Sequence, residues 1–246
     1  MNKKIIFIAT IIAMLALLFL AACETRIIAP TDQQEPRLNT ISVQGTSEFD
    51  VTPDIAKISF RVETQSPTAQ QAQNKNKDLA NSVYNALYRE GIREDDIETT
   101  TYRIEKIREW ENEKYVEKGY RVINVFEVTT KKLESVGPLL DVGVQAGANA
   151  VESISFELSD EKNSEAKTEA LQRSARNARE KAEALADGIG VRLGKVVSIQ
   201  EQSYYVRPYA MAEMDVRTMA AEAAPTPISP ESVQISVQIS VAFEIA

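Results

Sequence analysis

With no histidine anywhere, the chain lacks the commonest general base and the commonest transition-metal ligand. Carboxylates are the next resource. They cluster as Asp95, Asp96 and Glu98, and again as Glu109, Glu111 and Glu113. Paired carboxylates can hydrolyse glycosides. Both clusters, however, fall in turn-like or densely charged stretches, where runs of charge form a solvated face. Serine and threonine are plentiful, but a hydroxyl nucleophile would need lysine or another base to activate it. Asp54, next to Pro53, suits a local turn bond better than catalysis. No D-x-[DN]-x-[DN]-G loop is present to hold calcium. These residues predict a protein that is not an enzyme, with no catalytic residue, no metal and no cofactor.

The stretch GIGVRLG (188–194) is the strongest competing signal. It resembles a phosphate-binding loop, in which glycines follow a strand and open a helix whose free N–H groups face the phosphate. Here an alanine-rich helical pattern comes first and a strand pattern follows. The glycines therefore sit at the negative end of a helix dipole. Gly190 and Gly194 are also four apart where the fingerprint needs three. Gly188 or Gly190 is expected as a left-handed helix cap, and Gly194 as a turn into the next strand.

Cys23 is the only cysteine, so neither an intrachain disulfide nor a thiolate metal cluster can form. It closes the segment MNKKIIFIATIIAMLALLFLAAC. Lys3 and Lys4 give a positive start, and an apolar run follows from Ile5 to Ala22, the layout of an export signal. Leucine and two small residues before the cysteine form a lipobox, so lipid attachment at Cys23 is expected, with membrane association through that lipid. The alternative is an uncleaved anchor, since the apolar run is about the 18 residues that can span a bilayer. Residues 1–22 read as signal peptide and 23–38 as a polar, proline-containing tether. A formal net charge of −8 disfavours nucleic acid as a partner.

The elements that carry these residues follow from periodicity. Strands are expected over 40–51, 53–64, 96–110, 119–130, 149–159, 194–206 and 232–245. Gly45 reads as a bulge or bend in the first. A charged hairpin loop is expected over 111–118. Ser66 and Pro67 are expected to open a helix that buries Ala69, Ala72, Asn76, Leu79, Ala80, Val83 and Leu87 and closes at Gly91. A second helix covers about 134–145, with Pro138 in its first turn and Gly147 as its cap. A third begins at Asp160 and shows a stripe of Ala166, Ala170, Ala175, Ala178, Ala182 and Leu185. The order ββαββαβαββ predicts an α+β fold: largely antiparallel sheets, helices packed on one side, and two interleaved lobes. The middle β-β-α-β lobe spans about 99–159 of a domain at 39–246. Residues 207–230 read as a long loop carrying Met211, Met214 and Met219. With Tyr204, Tyr205 and Tyr209 these form a candidate interface. The tyrosines either meet a partner or pack the loop onto its own sheet.

Four segments in order carry a family resemblance: VTPDIAKISFRVET, GIREDDIETTTYRI, the stretch from GYRVINVFEV through AGANAVESISFELSD, and ARNAREKAEALADGIGVRLGKVVSI. They resemble the SIMPL-domain family over about 40–246. The resemblance implies an exported α+β domain that often self-assembles and is loosely linked to envelope or oxidative stress, with no catalytic residues to carry over. The expectation is a homo-oligomeric, membrane-anchored extracytoplasmic protein serving envelope integrity or stress protection. A protein- or peptide-binding module in envelope signalling, with an envelope protein as partner, is the alternative.

Overall fold

A computed structural model describes residues 39–211, residue 228 and residues 232–246. Cys23, Met214 and Met219, and with them the export segment and tether, lie outside the described residues. The α+β expectation is met by three α-helices and two antiparallel sheets.

The first sheet has three strands: β1 (Thr40–Val51), β8 (Val233–Ile245) and β6 (Leu193–Arg207), in the order β1-β8-β6. β8 lies in the centre because its perfect alternation gives it one continuous apolar face, Val233 through Phe243. β1 pairs with it over all twelve residues without a register break, so Gly45 is not at a bulge. A Cβ there would collide with the backbone carbonyl of Ser174. The glycine lets α3 (Asp160–Ile189) approach the strand closely.

α3 begins at Ser159, whose hydroxyl accepts the Lys162 N–H, and ends at Gly190 with φ 71°. Its buried stripe is Ala166, Ala170, Ser174, Ala178, Ala182 and Ala186. Ala175 and Leu185 do not belong to it, and Leu185 is exposed. The stripe keeps a strict four-residue step, which is a ridge tilted about 26° from the helix axis. A 3.6-residue average drifts off such a ridge over thirty residues.

The second sheet has five strands in the order β3-β4-β2-β5-β7. These are β2 (Ile55–Ser66), β3 (Ile97–Glu111), β4 (Lys114–Thr130), β5 (Ala150–Glu157) and the short β7 (Tyr209–Met211). The segment 99–159 thus shares its sheet with β2 at the centre and β7 at one edge. α1 (Ala69–Arg89) and α2 (Val136–Ala146) enclose a core of Phe60, Phe126, Phe156, Val83, Leu87, Leu139 and Leu140.

α1 starts two residues later than the sequence pattern suggests. Thr68, not Ser66, is the N-cap and accepts the Gln71 N–H, while Ser66 is the last residue of β2, paired with Tyr120. Pairing to β4 holds Ser66 extended, and Thr68 supplies an equally good capping hydroxyl. Asn76, the polar member of the buried stripe, donates to the Val62 carbonyl at 2.7 Å.

Two expected loops are partly strand. The 111–118 stretch is hairpin, with a two-residue turn at Asn112 and Glu113 (φ 48° and 63°). Positive φ at both positions is what a tight type I′ turn requires. Glu111 faces Lys114 and Trp110 faces Tyr115 across it, so the charges sit in strand register rather than in a loop. In the 207–230 stretch, Tyr209–Met211 pair with Phe156–Ile154 and cover the edge that β5 would otherwise expose. Ile228 packs against the five-stranded core.

Candidate functional site

Of the carboxylates singled out by type, Asp96, Glu109 and Glu111 have basic partners. Arg93 donates from Nε and Nη2 to the two oxygens of Asp96, both at 2.9 Å. That hydrogen bonding holds the Asp96 carboxyl below its ordinary range despite some desolvation. Lys118 lies within ion-pair reach of both Glu109 and Glu111. A general acid needs its pKa raised, whereas a cationic neighbour favours the ionised form. Among the described residues no group of three His, Cys, Asp or Glu side chains is placed to hold a metal ion.

Asp54 does something other than a local turn. Its Oδ1 accepts the Ser159 N–H at 2.8 Å, and its Oδ2 accepts the Ser159 hydroxyl at 2.6 Å. Its own N–H donates to the Glu157 carbonyl at 3.1 Å. Asp54 lies in the link between β1 and β2, and Ser159 in the link between β5 and α3. Both links cross from one sheet to the other, so this pair ties the crossings together and places a carboxylate at the positive end of α3. Burial pushes the Asp54 pKa up, but the Ser159 bonds and the charge of Lys162 outweigh it, and the carboxyl titrates below its usual range. The signal in the sequence was the Pro-Asp dipeptide together with Ser159 before an alanine-rich helix; their 105-residue separation hid the connection.

The tyrosines divide by strand parity. Tyr204 faces α3: its hydroxyl donates to the side chain of Asn163, and the Lys167 ammonium sits 5.1 Å from its ring centroid. Burial raises its pKa, with Lys167 opposing. Tyr205 points to the other face and is 69% exposed. The backbone of Tyr209 and Met211 belongs to β7, at the far edge of the other sheet. Tyr204 and Tyr205 thus lie on opposite faces of β6.

Two surfaces escaped residue-type reasoning. One is the distal part of the β3–β4 hairpin, where most side chains on both strands are exposed. At its end Trp110 (62% exposed) meets Tyr115 (71%) edge to face, ring centroids 4.8 Å apart. Lys106 pairs with Glu117, and Lys118 with Glu111, so the charges on this arm largely satisfy one another. The aromatic pair is left as its unspent contact surface. The only tryptophan of the chain, set among alternating charges, was the available signal. The other surface is β6, where Val196, Val197 and Ile199 are exposed.

The SIMPL family, described as a protein of unknown function (DUF541), matches residues 41–243. The "26 kDa periplasmic immunogenic protein" of Brucella melitensis is 33% identical over 228 residues, covering 88% of this chain and 90% of that one. The "Uncharacterized protein YggE" of Escherichia coli K12 is 29% identical over 209 residues, covering 83% and 82% respectively. Its namesake in Edwardsiella ictaluri is 29% identical over 220 residues, covering 87% and 90%.

Proposed function

From the premise that this chain belongs to the SIMPL family, we propose that it is a non-enzymatic extracytoplasmic lipoprotein that self-assembles at a cell membrane. In this reading Cys23 carries the lipid, residues 24–38 tether it to the domain, and the domain serves envelope integrity or stress protection. The observation that carries it is the match, over nearly the whole domain, to proteins named as periplasmic in Brucella. The sole cysteine directly after Leu20-Ala21-Ala22 supports the anchor. Among the described residues no helix is long and apolar enough to cross a membrane. More than one acyl chain is needed for stable anchoring, which lipoprotein processing supplies.

Mass spectrometry of the membrane-extracted protein tests the anchor. A lipid-modified residue 23 at the mature N-terminus is expected, and an unmodified Cys23 overturns it. Sedimentation of the detergent-solubilised chain tests assembly. Mass above the monomer is expected, and a monomer at all concentrations removes that part of the reading.

A second reading, a protein- or peptide-binding module of the envelope, is favoured by the Trp110–Tyr115 pair. Exposed tryptophan and tyrosine are the residue types that anchor interfaces. Capture of one defined envelope protein by wild type but not by Trp110→Ala would favour it over self-assembly.

A further inference from the structure

Among the described residues the two sheets have four edges, and three of them are guarded. On β1 the Thr46 N–H donates to Asn177 Oδ1, and Lys181 Nζ donates to the Gln44 carbonyl, so α3 side chains occupy backbone groups that a new strand would need. β7 is three residues long. β3 carries Arg103, Glu105, Lys106, Arg108, Glu109 and Glu111, the charged kind of edge that resists pairing. β6 is different. It offers fifteen residues, and from Val196 to Val206 the only charge is Glu201, which Lys167 already holds at 2.9 Å. Ile199 is 63% exposed on this edge, with Val196 and Val197 beside it.

We propose that β6 is the contact through which two copies of this chain join, edge to edge and antiparallel, about a two-fold axis at Ile199. The inference rests on the self-assembly reading and names its surface. A second copy is the occupant that fits best, because a two-fold contact closes both open edges at once, whereas an added peptide would leave a new one. Register follows from charge and face. Ile199 pairs with Val241 on the α3 side of the sheet, so on the axis two Ile199 side chains meet on one face. Ser198 and Gln200, both paired to residues of the opposite face, then stand across from each other. Lys195 falls opposite Ser203 and Glu201 opposite Val197, with no like charges in register. An axis at Glu201 would set that carboxylate against itself.

Space permits the joint. α3 packs over β1 and β8 and reaches β6 through Tyr204 and Glu201, leaving Val196, Val197 and Ile199 exposed. In the joined sheet β1-β8-β6-β6-β8-β1 the two helices lie about four strand spacings apart, roughly 19 Å. That exceeds a helix diameter of about 10 Å, so the helices do not collide. The three register shifts in β6 bend the edge but leave the stretch from Ser198 to Glu201 regular, and this stretch holds the axis.

The test uses the full chain in detergent. Ile199→Asp places two carboxylates on the axis and is expected to weaken association by about 100-fold or more in sedimentation. Leu185→Asp, at an exposed aliphatic on α3, should leave it unchanged. Ile199→Cys should give a disulfide-linked dimer under mild oxidation, and Ser198→Cys should give far less, with wild type as the control for Cys23. If wild type associates while Ile199→Asp associates equally well, the interface is overturned and self-assembly stands. If wild type is monomeric throughout, both fall. A crosslink at Ser198→Cys stronger than at Ile199→Cys overturns the register.

Discussion

The two sheets of this domain solve the same problem with opposite materials. The five-stranded sheet meets its helices through large side chains: Phe60 and Phe126 lie 5.8 Å apart between centroids, and Tyr84 meets Phe126 edge-on at 4.7 Å. The three-stranded sheet meets α3 through alanines, one buried serine and Gly45. In the first, stability comes from apolar area carried by each side chain. In the second it comes from closeness, which lets strand and helix backbones touch and lets Asn177 and Lys181 reach across to the β1 edge. A core of the first kind should suffer most from deletion, and a seam of the second kind most from addition.

Urea unfolding of point variants can break that contrast. Phe126→Ala should cost the most, about 3–5 kcal/mol, because the ring is fully buried between Phe60 and Tyr84. Ala178→Leu should cost about 1–3 kcal/mol or more by forcing α3 off β1 and β8. A cost below about 0.5 kcal/mol there would mean that the seam is loose and the contrast mistaken.

The joint between the halves comes next. Asp54→Ala removes both bonds to Ser159 and should cost about 1–2 kcal/mol at neutral pH. The pH dependence has a definite sign. The folded pKa of Asp54 lies below the unfolded value, so its contribution is complete above about pH 4 and is lost as pH falls through the folded pKa. Wild type should therefore lose stability relative to Asp54→Asn on acidification, the two curves converging at low pH. Parallel curves would show that the carboxylate charge is irrelevant to the joint.

Gly190→Ala should cost about 1 kcal/mol, since φ is 71° at the α3 terminus and a Cβ there meets nothing within 4 Å. The strain is purely in the backbone, and no nucleotide affinity should change with it. The smallest effect belongs to the arm. Trp110→Ala should alter stability by no more than about 0.5 kcal/mol. As Trp110 is the sole tryptophan, its fluorescence in wild type should report solvent contact in the folded state and shift only on binding. A large loss of stability would place the arm in the core and remove it as a contact surface.

Much of the fold is written locally. β8 could be placed from its alternation alone, and α3 from Ser159 before the helix and Gly190 after it, because caps and periods act over a few residues. The GIGVRLG run was settled the same way: a helix before it and a strand after it forbid a phosphate loop, and Gly190 duly takes the left-handed cap. The candidate surface was much less legible. Tyr204 and Tyr205 are neighbours in sequence and go to opposite faces, one onto Asn163 and one into solvent. Nothing in their types separates them until the register of β6 on β8 is known.

What the sequence determined by itself, then, is the three helices and the seven long strands, with their class and order, since each depends on short-range pattern. Tertiary structure decided the rest. It decided that β8 rather than β2 centres the sheet under α3, and that Ser174 and Ala186 rather than Ala175 and Leu185 face that sheet. It also decided that Asp54 holds the residue that caps a helix, 105 residues away, and that among the described residues β6 is the unguarded edge. Each of these turns on which strands pair and on how a helix ridge is inclined, and those are settled by contacts between residues far apart in the chain, where local pattern carries no information.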